Sequence, residues 1–382
     1  MEKRALGIYV HIPFCVRKCE YCDFVSMVGT PDEQAYYIRV LKKDIRGFEA
    51  LSNLYQVQTV FFGGGTPSVL DVAQLERIME QLREQYEFAE DAEISIECNP
   101  GTLTEEKLAK YRAMGFNRLS LGLQSVHDEE LAVLGRIHSY NDFLTSYRLA
   151  RKAGFTNINV DLISALPGQS VDSWKETLEK VAELNPEHIS AYSLSIEEGT
   201  PFCEKYSGAQ GRALLPKEKD ERAMYHYTKE FLETKGYHRY EVSNYAKDGK
   251  ECRHNLVYWT GGEYVGFGLG ASSYLGGKRF SNPKEKQAYW EYARNAYNTY
   301  RTLPSQSEKN AMEEFMFLGL RMSRGISTKE FEERFHVPFQ QVYGGPVRKM
   351  VMQGMLEEDG DILRFTDRGV DVSNHLLVEF LL

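Results

Sequence analysis

The sequence predicts an α/β chain: a partial (β/α)6 barrel, followed by a C-terminal helical domain of winged-helix-like layout. Three observations predict it. β-rich runs alternate with stretches of helical period through the first half of the chain. Glycines and polar residues collect at the C-terminal ends of successive runs, which is how the mouth of a barrel is built, whereas a doubly wound sheet gathers its site at one switch point. From about residue 305 the alternation gives way to helices, a turn and a strand.

The predicted strands are residues 7–12, 58–63, 92–99, 118–125, 157–164 and 188–194, each rich in β-branched or aromatic side chains. Between them, residues 32–53, 71–86, 104–114, 140–153 and 171–184 have helical period, several opened by an Asp or Thr cap and closed near a Gly. Parallel strands joined by right-handed helical crossovers follow from this order. After residue 194 come a helical run at 217–235 and a Gly- and Tyr-rich section at 237–274. Helices at 310–323, 328–335 and 339–354 then precede a turn and strand in 356–366. Residues 1–304 therefore hold the barrel with its extension, its core spanning about 1–235, and residues 305–382 form the second domain.

Hydrophobic residues at 42% and charged residues at 26% exclude a disordered or collagenous chain. The net charge of −9 argues against a nucleic-acid partner, because phosphate backbones require a basic surface. The same holds for residues 305–382, where 9 Lys/Arg face 13 Asp/Glu, so this winged-helix-like unit is expected to act as a lid or a partner contact. No run of about 18 apolar residues exists to span a membrane, and His11 and Pro13 interrupt the first apolar stretch before a signal peptide could form. A cytoplasmic protein, not integral to a membrane, is expected.

Of six cysteines, Cys15, Cys19 and Cys22 crowd into one loop after the first strand. Three thiolates in Cys-x3-Cys-x2-Cys can hold three irons of a [4Fe–4S] cubane and leave the fourth iron open. Structural zinc wants four ligands, in paired Cys or Cys/His knuckles, and no second pair accompanies these three. Cys203 and Cys252 read as small buried hydrophobes. Gly63-Gly64-Gly65-Thr66-Pro67 follows the second strand, where missing side chains let backbone approach a ligand. Gly266-x-Gly268-x-Gly270 reads as a turn, since no βαβ unit surrounds it. His11 is as well explained as a satisfied core histidine as a catalytic one.

These residues resemble a known family. The Cys15, Cys19, Cys22 spacing, with Tyr21 before the third Cys, is similar to the signature of radical S-adenosylmethionine (SAM) proteins. Tyr9-Val10-His11-Ile12-Pro13-Phe14-Cys15, Phe61-Phe62-Gly63-Gly64-Gly65-Thr66-Pro67-Ser68, Glu97-Cys98-Asn99-Pro100, Gly122-Leu123-Gln124-Ser125 and Asp161-Leu162-Ile163-x3-Pro167-Gly168 resemble the oxygen-independent coproporphyrinogen III oxidase family, over nearly the whole chain. The resemblance implies the radical SAM type of partial barrel and a cluster whose open iron binds the amino and carboxylate groups of SAM. In that family the reduced cluster cleaves SAM to a 5′-deoxyadenosyl radical. It also implies that Tyr9, Tyr21, Gly64, Gly65, Thr66, Glu97, Gln124, Arg136 and Asp161 surround SAM. Glu97 and Asp161 would serve its amino group and its ribose hydroxyls in one order or the other, and Arg136 its carboxylate as a planar fork.

Two departures point within the family. Phe24 stands where the oxidases carry a further Cys, and Tyr9 leaves little room for their N-terminal arm. Both features, with His254-Asn255-x2-Tyr258-Trp259, resemble the heme-chaperone branch, which transfers heme to apoproteins instead of decarboxylating porphyrinogen. That implies heme as a ligand and heme-accepting apoproteins as partners, membrane-associated respiratory proteins among them, and leaves a homodimer open. Either His254 is the heme ligand, with Tyr258 as an aromatic wall, or the segment pins the barrel's edge through hydrogen bonds and ring packing. Gly65→Val is expected to weaken SAM binding and spare the iron.

Overall fold

The computed structural model describes residues 3–382; Met1 and Glu2, counted in the first predicted unit, lie outside the described residues. Six parallel strands run in sequential order: β1 (Arg4–Ile12), β2 (Tyr55–Gly64), β3 (Glu87–Cys98), β4 (Arg118–Gln124), β5 (Ile158–Ser164) and β6 (His188–Ser193). Neighbours in space are neighbours in sequence, which is the order of a curled β/α sheet and not of a doubly wound one.

Helices α1 (Pro31–Gly47), α2 (Val72–Gln85), α3 (Glu105–Met114), α4 (Asp128–Val133), α5 (Tyr140–Lys152) and α6 (Val171–Glu183) make the crossovers. Their starts are written locally. Thr30, Ser139 and Ser170 each accept from the amide three residues on and form reciprocal capping boxes, which satisfies donors that a helix start leaves free. The predicted helix over 32–53 is shorter: α1 ends at Gly47, and residues Glu49–Leu54 form a 3-10 turn. The break lets Phe48 drop into the core, stacked on Phe280 at 6.2 Å, and glycine is a poor residue to continue a helix across it. The short α4 was not expected from the sequence.

Where the alternation lapses, the chain extends the sheet. β8 (Asn244–Ala246) adds antiparallel to β6 and β7 (His238–Arg239) antiparallel to β8, while β9 (Tyr264–Phe267) adds parallel to β1, followed by antiparallel β10 (Ser272–Leu275) and β11 (Lys278–Ser281). The eleven-stranded sheet runs from β11 to β7 without those two strands pairing. The barrel is partial, as expected, but wider than six strands. Gly268 and Gly270, both at positive φ, are indeed in a turn, where a Cβ on Gly268 would meet the Tyr37 hydroxyl at 2.5 Å.

The C-terminal residues form helices Glu308–Gly319, Thr328–Phe335 and Phe339–Met352. They pack on a three-stranded antiparallel sheet of β12 (Ile326–Ser327), β13 (Leu356–Asp359) and β14 (Ile362–Phe365). This winged-helix-like arrangement has its own apolar cluster, centred on Met316, Phe331, Phe339, Tyr343, Leu363 and Phe380. No helix among the described residues is long and apolar enough to cross a membrane.

Candidate functional site

The strands alternate side chains between two faces, so every second residue of the parallel strands points into the barrel. On β4 these are Arg118, Ser120, Gly122 and Gln124; on β3 Glu93, Ser95 and Glu97; on β5 Asn159, Asp161 and Ile163. At the C-terminal end of the strands a cavity of about 360 Å³ opens, lined by Cys15, Cys19, Cys22, Tyr21, Gly64, Gly65, Thr66, Glu97, Gln124, Arg136 and Asp161. Eleven residues from separate motifs thus line one cavity. Tyr9 is not among them: its half-buried ring lies against the glycine turn, stacked on Phe61, and its hydroxyl is 3.0 Å from His11 Nδ1.

The three cysteines are free and partly exposed on one side of the cavity. Burial pushes the Cys15 and Cys22 thiols up, so thiolates there need positive charge beside them. Lys18 supplies some beside Cys22, and the Arg136 guanidinium lies beside Cys19, with Nη1 3.5 Å from its Sγ. Thr66 Oγ1 donates to Cys15 Sγ at 3.5 Å, and Asn99 Nδ2 in turn donates to Thr66 Oγ1 at 3.0 Å. Cys98 is buried, and its thiol faces the Ile96 carbonyl at 3.8 Å. Three soft donors beside an open cavity fit a cubane with one open iron; a fourth cysteine, Cys98, also lines the cavity, but its thiol is engaged with the Ile96 carbonyl.

The glycine turn is clamped to the cluster loop. Gly65 N donates to Ile12 O and Thr66 N to Phe14 O, both at 2.8 Å, while Gly64 N donates to Glu97 Oε2 at 3.1 Å. All three donors are used within the protein, so the turn offers a ligand close approach and not free N–H groups. A Cβ on Gly65 would lie 2.8 Å from Phe14 O and 3.0 Å from Cys15 Sγ. The expectation that Gly65→Val spares the iron is therefore corrected, because the added side chain strikes a cluster thiol as well as the ligand space.

Across the cavity sit two half-buried carboxyls, Glu97 and Asp161. Burial, and then the Asp161 charge, push Glu97 up to about 8. Asp161 is raised by burial too, against hydrogen bonds from Ser120 and Asn159. Arg136 bonds Gly122 O and Asn99 Oδ1 through Nη2, but its buried Nε has no partner. An unpartnered charged donor on a cavity wall is matched to an anionic group. Gln124 reaches the wall through a bulge between Gly122 and Gln124, which leaves it at φ 75°. A side chain held in the left-handed region is strained, and such strain collects at binding sites.

His254 does not face a ligand. It lies on the helix Arg253–Trp259, buried, its ring stacked on Phe61 at 5.4 Å. Both ring nitrogens are taken, Nδ1 by Thr59 Oγ1 and Nε2 by the Tyr258 hydroxyl, each at 2.8 Å. Burial and the nearby Arg118 push it down to about 3. The expected heme ligand is thus corrected: with no free lone pair and no path to solvent, His254 holds Tyr258. His11 bonds Tyr9 and the Val25 carbonyl, tying the first strand to the end of the cluster loop.

Asn99, Ser120 and Tyr192 also line the cavity, as does Phe24, which is 64% exposed. Ser120 was legible by period alone, two residues before Gly122 on an inward face. Tyr192 was not, because the end of β6 carries no motif.

A model of the radical SAM superfamily matches residues 9–181, and one of the HemN C-terminal domain matches residues 306–372. The heme chaperone HemW of Lactococcus lactis subsp. lactis (strain IL1403) is 37% identical over 100% of this chain and 99% of its own. That of Escherichia coli (strain K12) is 33% identical over 98% of each. Among solved structures, the radical SAM coproporphyrinogen III oxidase HemN from Escherichia coli superposes with a TM-score of 0.85 at 26% identity, covering 99% of this chain and 90% of that one. Full-length identity at this level, on the same fold, places the chain in the HemW family of the radical SAM superfamily.

Proposed function

We propose that this protein holds a [4Fe–4S] cluster on Cys15, Cys19 and Cys22, binds SAM in the adjoining cavity, binds heme, and passes heme to acceptor proteins. One observation carries the cofactor reading: three thiols, a glycine turn, two half-buried carboxyls and an arginine with a free Nε meet on one cavity. When bound, the cluster supplies an open iron for the amino and carboxylate groups of SAM and the electron that cleaves its sulfonium. Arg136 Nε pairs with that carboxylate, and Glu97, fixed against Gly64, accepts from the amino group. Asp161, deeper on β5, faces the ribose hydroxyls, and Tyr21 and Gln124 close the wall. Tyr9 packs against the glycine turn.

The heme reading is supported by the names of the relatives and by Phe24 at the cavity wall. In this reading the protein works in the cytoplasm on acceptors that include membrane-associated respiratory proteins, and residues 305–382 form the unit that meets partners. The structural likeness to the oxidase favours a second reading, radical decarboxylation of coproporphyrinogen III. Anaerobically reconstituted protein given SAM and a reductant is expected to leave coproporphyrinogen III unchanged and to bind heme one-to-one. Turnover of the porphyrinogen would establish the second reading in place of the first.

A further inference from the structure

Below the cavity floor runs a chain of polar side chains that cofactor binding alone does not call for. Asp161 Oδ2 accepts from Ser120 Oγ at 2.8 Å and Oδ1 from Asn159 Nδ2 at 2.8 Å; Asn159 Nδ2 also reaches Ser120 Oγ at 2.7 Å. Behind it, Asn159 Oδ1 is 2.7 Å from His188 Nδ1, and His188 Nε2 is 2.9 Å from the Tyr240 hydroxyl. Ser120, Asn159 and His188 are all buried, from three adjacent strands.

The directions of these bonds are forced. An amide oxygen only accepts, so His188 Nδ1 carries a proton. Burial, and then the Arg118 charge, drive the His188 pKa well below its usual value, so the ring is neutral and Nε2 accepts from Tyr240. The Tyr240 oxygen itself accepts from Cys252 N at 3.4 Å, which leaves its proton for His188. Turning the Asn159 amide over would set its oxygen against the Asp161 carboxylate, acceptor on acceptor. The chain has one arrangement, and it ends by fixing both carboxylate oxygens from the side away from the cavity. A fully satisfied buried network specifies a unique geometry at the cost of intolerance to any missing member.

We propose that Asn159 and His188 are positioning residues for Asp161, holding its carboxylate so that the remaining lone pairs face the two hydroxyls of a ribose in the cavity. This rests on the SAM reading above. His188→Leu removes both links, and it is expected to weaken SAM binding about tenfold on reconstituted protein with full iron content. Asp161→Asn is expected to lose a similar factor, and the double variant to bind no more weakly than Asp161→Asn, because His188 acts only through that carboxylate. His188→Gln, which keeps a donor and an acceptor, is expected to recover most of the loss. Should His188→Leu not fold, Tyr240→Phe keeps the imidazole and removes its donor, with about a threefold loss expected. Unchanged affinity in the His188 and Tyr240 variants, or losses that multiply in the double variant, would overturn the proposal. Wild-type protein that carries the cluster and fails to bind SAM would instead overturn the reading beneath it.

Discussion

Gly65 shows how little room one residue leaves between the cysteine loop and the cavity. Its hydrogen atom faces Phe14 O, the Pro13 carbonyl carbon and Cys15 Sγ, all within 3.0 Å of where a Cβ would stand. Backbone cannot yield cheaply there, so even Gly65→Ala moves the first cluster thiol. That variant is expected to reconstitute with less iron than wild type as well as to lose SAM affinity; full iron content would show that the loop relaxes around the methyl. His254 teaches the opposite lesson, since a residue type suited to metal is spent on packing. His254→Ala removes two hydrogen bonds and a ring stack, leaving Thr59 and Tyr258 without partners. The variant is expected to lose about 2–4 kcal/mol of stability. Its heme Soret band should match that of wild type, and a shifted band would return His254 to the heme.

Between elements, the decisive contact joins α1 to the turn after β9. Asp44, buried in α1, accepts through Oδ2 from Gly268 N at 3.0 Å, Asn282 Nδ2 at 3.1 Å and the Tyr289 hydroxyl at 2.9 Å. Next to it, Tyr37 donates to His11 O at 2.7 Å and accepts from Leu269 N at 3.1 Å, so the same contact steadies the strand that launches the cluster loop. Asp44 Oδ1 and Asn282 Oδ1 are buried without partners. Burial disfavours the charge on Asp44 and, against its three hydrogen bonds, pushes its pKa up to about 7. The folded state then holds a proton that the unfolded chain releases near pH 4, so this group's contribution to stability is full below that pH and is lost as pH rises toward 7. Asp44→Asn mimics the protonated form. Melting temperatures from pH 5 to 8 are expected to fall less steeply in this variant than in wild type, with Glu97 contributing the slope that remains; identical slopes would show Asp44 ionised throughout.

At the scale of the molecule, the sheet is a half-open tube whose inward face is mostly polar, with Phe61 and Ile163 as apolar exceptions. Thr59, Glu93, Arg118, Asn159 and His188 fill the lower part, where a packed barrel usually carries branched apolar residues. The helix Arg253–Trp259 covers this floor, its first amides donating to Glu93 at 3.1 and 3.2 Å. The apolar core lies instead between the sheet and its helices, in the cluster that includes Ile8, Val60, Ile96, Leu121 and Val160. Apolar burial stabilises the outer layer, which frees the inner one to hold charges and ligands.

The sequence by itself determined the six parallel strands, most of the helices between them and the cysteine and glycine loops of the cavity, because each is encoded locally; as site residues, Glu97, Gln124, Arg136 and Asp161 were legible only through the family resemblance. Periodicity chose strand or helix, Thr30, Ser139 and Ser170 marked helix starts, and the Cys15, Cys19, Cys22 spacing and the glycine run lie within single loops. Only the tertiary structure decided what depends on residues far apart in the chain. It spread the 237–281 section over both sides of the six-stranded sheet, pairing β9 with β1 across more than two hundred residues. It set Tyr9 against the turn, and it gave both nitrogens of His254 to Thr59 and Tyr258. It also linked Tyr240 to Asp161 through His188 and Asn159. A side chain's type says which bonds it can make; which bonds remain open for a ligand is settled by the neighbours that folding brings, and those are written in no single segment.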